Sequence, residues 1–184
     1  MKKIIKNIAA ASIVFVSAAS MVSCGTALSG DPVQYSDPGD SFSVSLPTSG
    51  EDSWQTAEHA DDDVLDITDK NGRINIQVMA MSKSKALHVA SDLQSFSDYM
   101  MTGVLSDIAS ELDTRDESVD VPSFITDSKA QSFTMKNGGT ALKGDLIFME
   151  SSDSYYLYMI TAVEKTYDSS KKALQQTVST LQEK

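Results

Sequence analysis

The sequence predicts an α+β fold, a mainly antiparallel β-sheet with helices packed on its faces, in one domain over residues 33–184. Three observations predict it. Apolar and polar residues alternate in runs such as Phe42-Ser-Val44-Ser-Leu46 and Ile74-Asn-Ile76-Gln-Val78, the period of a half-buried strand. Asn-Gly pairs at Asn71-Gly72 and Asn137-Gly138 join such runs, and this dipeptide is a strong hairpin signal because both central positions of its turn need positive φ. Two further segments place apolar residues three and four apart, the spacing of one helix face.

Residues 1–23 stand outside the fold. Lys2, Lys3 and Lys6 make a basic start, an apolar stretch runs from Ile8 to Ala19, and no acidic residue occurs before Asp31. That is the pattern of a secretory signal. The stretch is too short to span a bilayer, which takes roughly 20 apolar residues. Met21-Val22-Ser23-Cys24 then resembles the lipobox of bacterial lipoproteins, with Met where Leu is usual. The resemblance implies cleavage after Ser23 and a diacylglycerol on the Cys24 sulfur, with palmitate-type acyl chains holding a lipoprotein to the cell membrane. The domain then faces outside the cytoplasm, at the cell surface or in the periplasm. The competing reading is ordinary secretory cleavage beside an unmodified thiol. Two acyl chains suffice for stable anchoring where one does not.

Residues 24–32 read as a short tether after the lipidated cysteine, small and polar from Gly25 to Pro32. A flexible coil of that length spans roughly 15 Å, from about 5–6 Å times the square root of the residue number. Phe42 to Leu46 makes a strand that Pro47 ends. Val64–Thr68 and Ile74–Val78 form one hairpin, and Ala130–Met135 and Ala141–Met149 another. Ser151-Ser-Asp-Ser154 turns the chain into Tyr155–Val163, so continuously apolar that it predicts a central strand covered on both faces.

The first helix follows Ser91-Asp-Leu-Gln94, which has the form of a capping box with Ser91 as N-cap. Leu93, Phe96, Met100, Val104, Ile108 and Leu112 make one apolar stripe behind it. The second helix closes the chain, with Tyr167, Leu174, Val178 and Leu181 inward. Strands in antiparallel order with helices between and after them define the α+β class.

Tyr35-Ser-Asp-Pro38, Phe42-Ser-Val-Ser-Leu-Pro47 and Trp54, with the tyrosine-rich strand Tyr155-Tyr156-Leu-Tyr158 and a last helix near Tyr167, resemble PsbP-like domains over most of residues 33–184. The resemblance implies an α/β/α sandwich and a scaffold that docks to something more often than it catalyses. No metal- or partner-binding residue of that family maps onto this chain.

Charge narrows the partners. Without the three signal lysines, twelve basic residues face 26 acidic ones, a net charge of −14. That excludes nucleic acid, whose phosphates need a basic face, and disfavours a domain lying flat on an anionic membrane. The single cysteine leaves the domain without a disulfide.

Residues for catalysis are scarce. His88 precedes the first helix, where an exposed or capping role is expected. His59 sits in the polar turn Glu58-His59-Ala-Asp61-Asp62-Asp63, an acidic loop that reads as solvated although its carboxylates could take a divalent cation. Asp69-Lys-Asn71-Gly72-Arg73-Ile74 imitates part of an EF-hand, but Ile67 and Val78 fall where the end carboxylates belong. Met79 and Met81 share a strand face, a start for copper(I); without a third soft ligand, core packing accounts for them. Trp54 reads as a core or edge anchor.

The sequence therefore predicts no catalytic, metal or cofactor-binding residue, and lipid attachment at Cys24. The expected function is a membrane-anchored, extracytoplasmic, non-catalytic module for an envelope protein or small ligand. A carboxylate-based hydrolase acting on a surface glycan is the alternative, and needs two carboxyl groups about 5–10 Å apart in a cleft.

Overall fold

Tyr155–Val163, the most continuously apolar run of residues 33–184, lies at the centre of the main sheet. The computed structural model describes Leu28 and residues 30–48, 54–59, 61–137 and 139–184; the signal at 1–23 and Cys24 lie outside them. The strands are β1 (Pro32–Ser36), β2 (Phe42–Pro47), β3 (Trp54–Thr56), β4 (Val64–Asp69), β5 (Ile74–Ser82), β6 (Asp113–Glu117), β7 (Asp127–Asn137), β8 (Thr140–Glu150), β9 (Ser154–Val163) and β10 (Gln182–Glu183). The helices are α1 (Lys83–Ala86), α2 (Leu93–Tyr99), α3 (Ser106–Ala109) and α4 (Glu164–Val178), with a π-helical turn at Met100–Val104 between α2 and α3.

Seven strands form an antiparallel sheet in the order β3-β4-β5-β9-β8-β7-β6, and β1-β2-β10 form a small second sheet. Because successive side chains point to opposite faces, β9 serves two cores at once. Tyr156, Tyr158 and Ile160 face the core roofed by α4 and the small sheet. Tyr155, Leu157 and Met159 face the core roofed by α2, the π turn and α3. The α+β class holds, with helices on both faces.

The first core is closed partly through tyrosine hydroxyls, which need partners when buried. Tyr158 donates to Thr177 at 2.8 Å and Tyr156 to Glu183 at 2.7 Å, joining the sheet to α4 and to β10. Burial raises both phenol pKa values, and the Glu183 carboxylate beside Tyr156 raises that one further. Trp54 is the edge anchor expected of it: its indole is buried in this core and donates to the Pro47 carbonyl at 2.9 Å.

Several boundaries differ from expectation, each for a local reason. The tether gives way to β1 at Pro32, and Leu28 already packs against the first core. At the first hairpin, Thr68 pairs with Asn75, so the loop is longer than a two-residue turn. The Gly72 N–H donates to the Asp69 carbonyl, and Gly72 alone in that loop has positive φ, at 62°. Asp69 Oδ1 accepts the N–H groups of Arg73 and Ile74 at 2.5 and 2.6 Å, which accounts for the residues that imitated an EF-hand. At the second hairpin Asn137 pairs with Thr140, so Asn137 is a strand residue; Gly138 lies outside the described residues.

The N-cap of α2 is Asp92, not Ser91. Its carboxylate accepts the Ser95 N–H at 2.8 Å while Ser95 Oγ accepts the Asp92 N–H at 3.1 Å. Gln94, assigned to the box from sequence, instead donates to Asp98 at 2.8 Å on the helix surface. The stripe also shifts: Leu93, Phe96, Met100, Leu105 and Ile108 are buried, while Val104 and Leu112 are only half-buried. The step of five from Met100 to Leu105 is the π turn, whose Leu105 N–H donates to the Met100 carbonyl at 2.8 Å.

Candidate functional site

Beneath α2, on the face of the second core, the outer ends of β4 and β5 leave a cleft of about 660 Å³. Val64, Met79 and Met81 line it from the sheet, Phe96, Tyr99 and Met100 from α2 and the π turn, and Val89 from the segment between α1 and α2. Its polar side chains, Asp61, Asp63, Ser84, Lys85 and His88, come from the loop before β4 and from α1 with its following segment. The volume lies within the roughly 300–1,000 Å³ of small-molecule pockets, which pair apolar walls with a few placed polar groups.

Local sequence sets each wall. Met79 and Met81 stand two apart on β5 and so share a face. Phe96 is held by aromatic packing, stacked on Tyr155 at 5.0 Å between centroids and edge-on to Phe148 at 6.4 Å. The mouth is fixed through α1: the Lys83 N–H donates to the Asp153 carbonyl at 2.8 Å, and Lys83 Nζ reaches Glu150 at 2.6 Å. That carboxylate raises the Lys83 pKa. Lys85 pairs with Asp63, whose carbonyl accepts the Ala80 N–H at 2.9 Å. The mouth is thereby tied to the β8–β9 turn through Lys83 and to β5 through Asp63.

The structure redistributes the residues singled out from sequence. His88 is exposed, as expected, and lies at the cleft mouth. His59 departs from the solvated loop assigned to it: its side chain is only 13% exposed, with Nε2 at 3.2 Å from Oδ2 of the buried Asp66. Asp66 also accepts Asn75 Nδ2 at 2.5 Å and Gln77 Nε2 at 3.4 Å, making a satisfied polar network on β4 and β5. Met100, 19 residues beyond Met81, adds the third thioether that sequence spacing did not supply. The cavity is far larger than an ion, and polarizable thioethers suit its wall as adaptable apolar surface. Among the described residues no three His, Cys, Asp or Glu side chains converge as a metal site. Neither is any helix there long and apolar enough to cross a membrane.

A carboxyl group with altered acidity occurs on the other sheet face. Burial raises the Asp145 pKa, against the opposing effect of hydrogen bonds from Tyr167 at 2.8 Å and Gln175 at 3.3 Å. Asp145 has no exposed surface. With its neighbours on α4, it is separated from the cleft by the sheet.

Two cores on either side of one antiparallel sheet, with helices outermost, define an α+β domain of PsbP-like fold. The resemblance is borne out by cyanobacterial PsbP (CyanoP) from Synechocystis sp. PCC 6803: TM-score 0.54 at 13% identity, covering 88% of this chain and 98% of that one. A protein from Bacteroides thetaiotaomicron VPI-5482 is similar at TM-score 0.52 and 14% identity over 82% of this chain, which spans about half (48%) of that protein's length. No protein-family model and no curated protein sequence matches the chain. At these identities the likeness is one of fold.

Proposed function

We propose that this chain is an exported lipoprotein, anchored through Cys24, whose domain is a non-catalytic module binding a small ligand or an envelope protein outside the cytoplasm. The observation that carries the binding reading is the apolar cleft beneath α2, walled by aromatic and thioether side chains and rimmed by charge on one side. Such walls supply contact area and desolvation rather than reacting groups. The anchor rests on Met21-Val22-Ser23-Cys24 and the basic, then apolar, leader before it.

Three measurements test the proposal. Mass spectrometry of the processed polypeptide should find diacylglycerol on Cys24, and an unmodified thiol there overturns the anchor. Crosslinking from a photoreactive residue placed at Leu87, beside the mouth, should trap a bound molecule in cells. Turnover of a glycan library by the purified chain overturns the non-catalytic reading in favour of a carboxylate-based hydrolase.

A further inference from the structure

We infer that the cleft beneath α2 takes a small cationic amphiphile, an aliphatic body carrying an ammonium group at the mouth. The inference rests on the binding-module reading and names its ligand. The cleft has a directional polarity. Its most buried lining residues, among them Val64, Met79, Phe96 and Met100, are apolar, while its charged side chains come from the loop before β4 and from α1. An occupant satisfying both ends has a greasy body and one polar end, since an unpaired polar group in the depth would lose its water without replacement. Leu87, the sequence neighbour of His88 at the mouth, is 74% exposed.

The rim chooses the sign of the head. Asp61 and Asp63 face a single lysine, Lys85, and that lysine is already paired with Asp63. That pairing leaves the Asp61 carboxylate without a lysine of its own, and exposed Asp62 lies between the two. The mature chain's charge of −14 adds a long-range field that draws cations and repels anions. An anionic lipid or fatty acid would have to displace the Lys85–Asp63 pair to find a partner; an ammonium group needs no rearrangement. The cleft's size points to a small molecule rather than a protein surface, because stable protein interfaces bury roughly 800 Å² on each partner.

The test uses the full processed chain with Cys24→Ser, so that no acyl group of its own competes. Dodecyltrimethylammonium and dodecyl sulfate, both below their micelle concentrations, are titrated by calorimetry at low and moderate salt. The cation should bind more tightly than the anion by up to about fivefold, the upper end for one exposed charge pair, and the difference should shrink with salt. Asp61→Asn with Asp63→Asn should abolish the preference while both probes still bind. Val89→Trp, filling the cleft, should remove binding of both. If that variant does not fold, the rim substitutions at half-buried positions still decide the question. Equal binding of the two probes, tighter binding of the sulfate, or a preference that survives the rim substitutions overturns the inference. Binding of neither probe overturns it while leaving the module reading intact if a photoreactive group at Leu87 still traps an envelope protein. Failure of both experiments removes the module reading as well.

Discussion

Asp145 carries no exposed surface, and its acidity is set mainly by that burial. Because its folded pKa is raised above the ordinary 3.8, the folded chain keeps a proton that the unfolded chain has already lost. Stability contributed by this group therefore falls as pH rises from about 3.8 toward the raised folded value, and is level above it. Asp145→Asn removes the titration and leaves an oxygen for Tyr167 to donate to. Its denaturant midpoint should vary less with pH across that window than the wild type's, and an identical slope would place the titration elsewhere. One position away, Gly144 faces the second core, where an added Cβ would lie 1.8 Å from the Ile160 carbonyl oxygen and 2.6 Å from the Phe133 ring. Gly144→Ala should cost about 3 kcal/mol, the upper end for overpacking, measurable as a lower urea midpoint at unchanged m; a neutral effect would mean the strands yield there. Neither residue stands out in the sequence. Asp145 occurs in Gly144-Asp-Leu146 like any surface aspartate, and only the strand register brings Tyr167 over it. His59 is hidden in the same way, since its partner Asp66 becomes a neighbour only through the β3–β4 approach, in which the Ala57 N–H donates to the Asp66 carbonyl.

Elements were legible where one local rule decides them. The strands β2, β5 and β9 and the inward stripe of α4 all survive in the fold, but the alternation in β2 and β5 marks which face each side chain takes and not its burial, since Ser43, Asn75 and Gln77 are buried as well. Elements fixed by pairing alone were not. β6, Asp113–Glu117, is wholly polar and is recruited as an edge by β7. β10 is two residues long and exists because the chain leaving α4 meets β2. The π turn is invisible to any search at steps of three and four, and it carries Met100 at the cleft wall. The cap of α2 sets the entry of that wall. Ser95 donates to Asp92 through both its N–H and its hydroxyl, and these bonds lower the Asp92 pKa. The stabilisation is therefore present above the ordinary carboxylate range and is lost as pH falls through the depressed value. Asp92→Ala should lower the melting temperature at neutral pH, whereas Ser91→Ala should leave it nearly unchanged. The reverse order, read by circular dichroism, would restore Ser91 as the cap.

At the scale of the whole molecule the sheet separates the side that carries the N-terminal strand from the side that carries the cleft. Leu28 and the small sheet pack on the first core, while the cleft belongs to the second. Leu28 follows Cys24 by only four residues, and four residues reach at most about 14 Å even when fully extended. The proposed lipid on Cys24 would therefore hold the β1 side near the bilayer, with the cleft on the opposite sheet face. The two large apolar side chains that are exposed among the described residues, Val33 on β1 at 44% and Leu87 beside the cleft at 74%, report on the two sides. In the anchored protein, with Cys24 blocked by its lipid, Val33→Cys should react with a bulky water-soluble maleimide several-fold more slowly than in a detergent-solubilised sample. Leu87→Cys should react at the same rate in both. Equal protection of the two positions would mean that the domain tumbles freely on its tether. Protection of Leu87 alone would turn the cleft toward the membrane, making bilayer lipids rather than soluble amphiphiles its natural source of ligand.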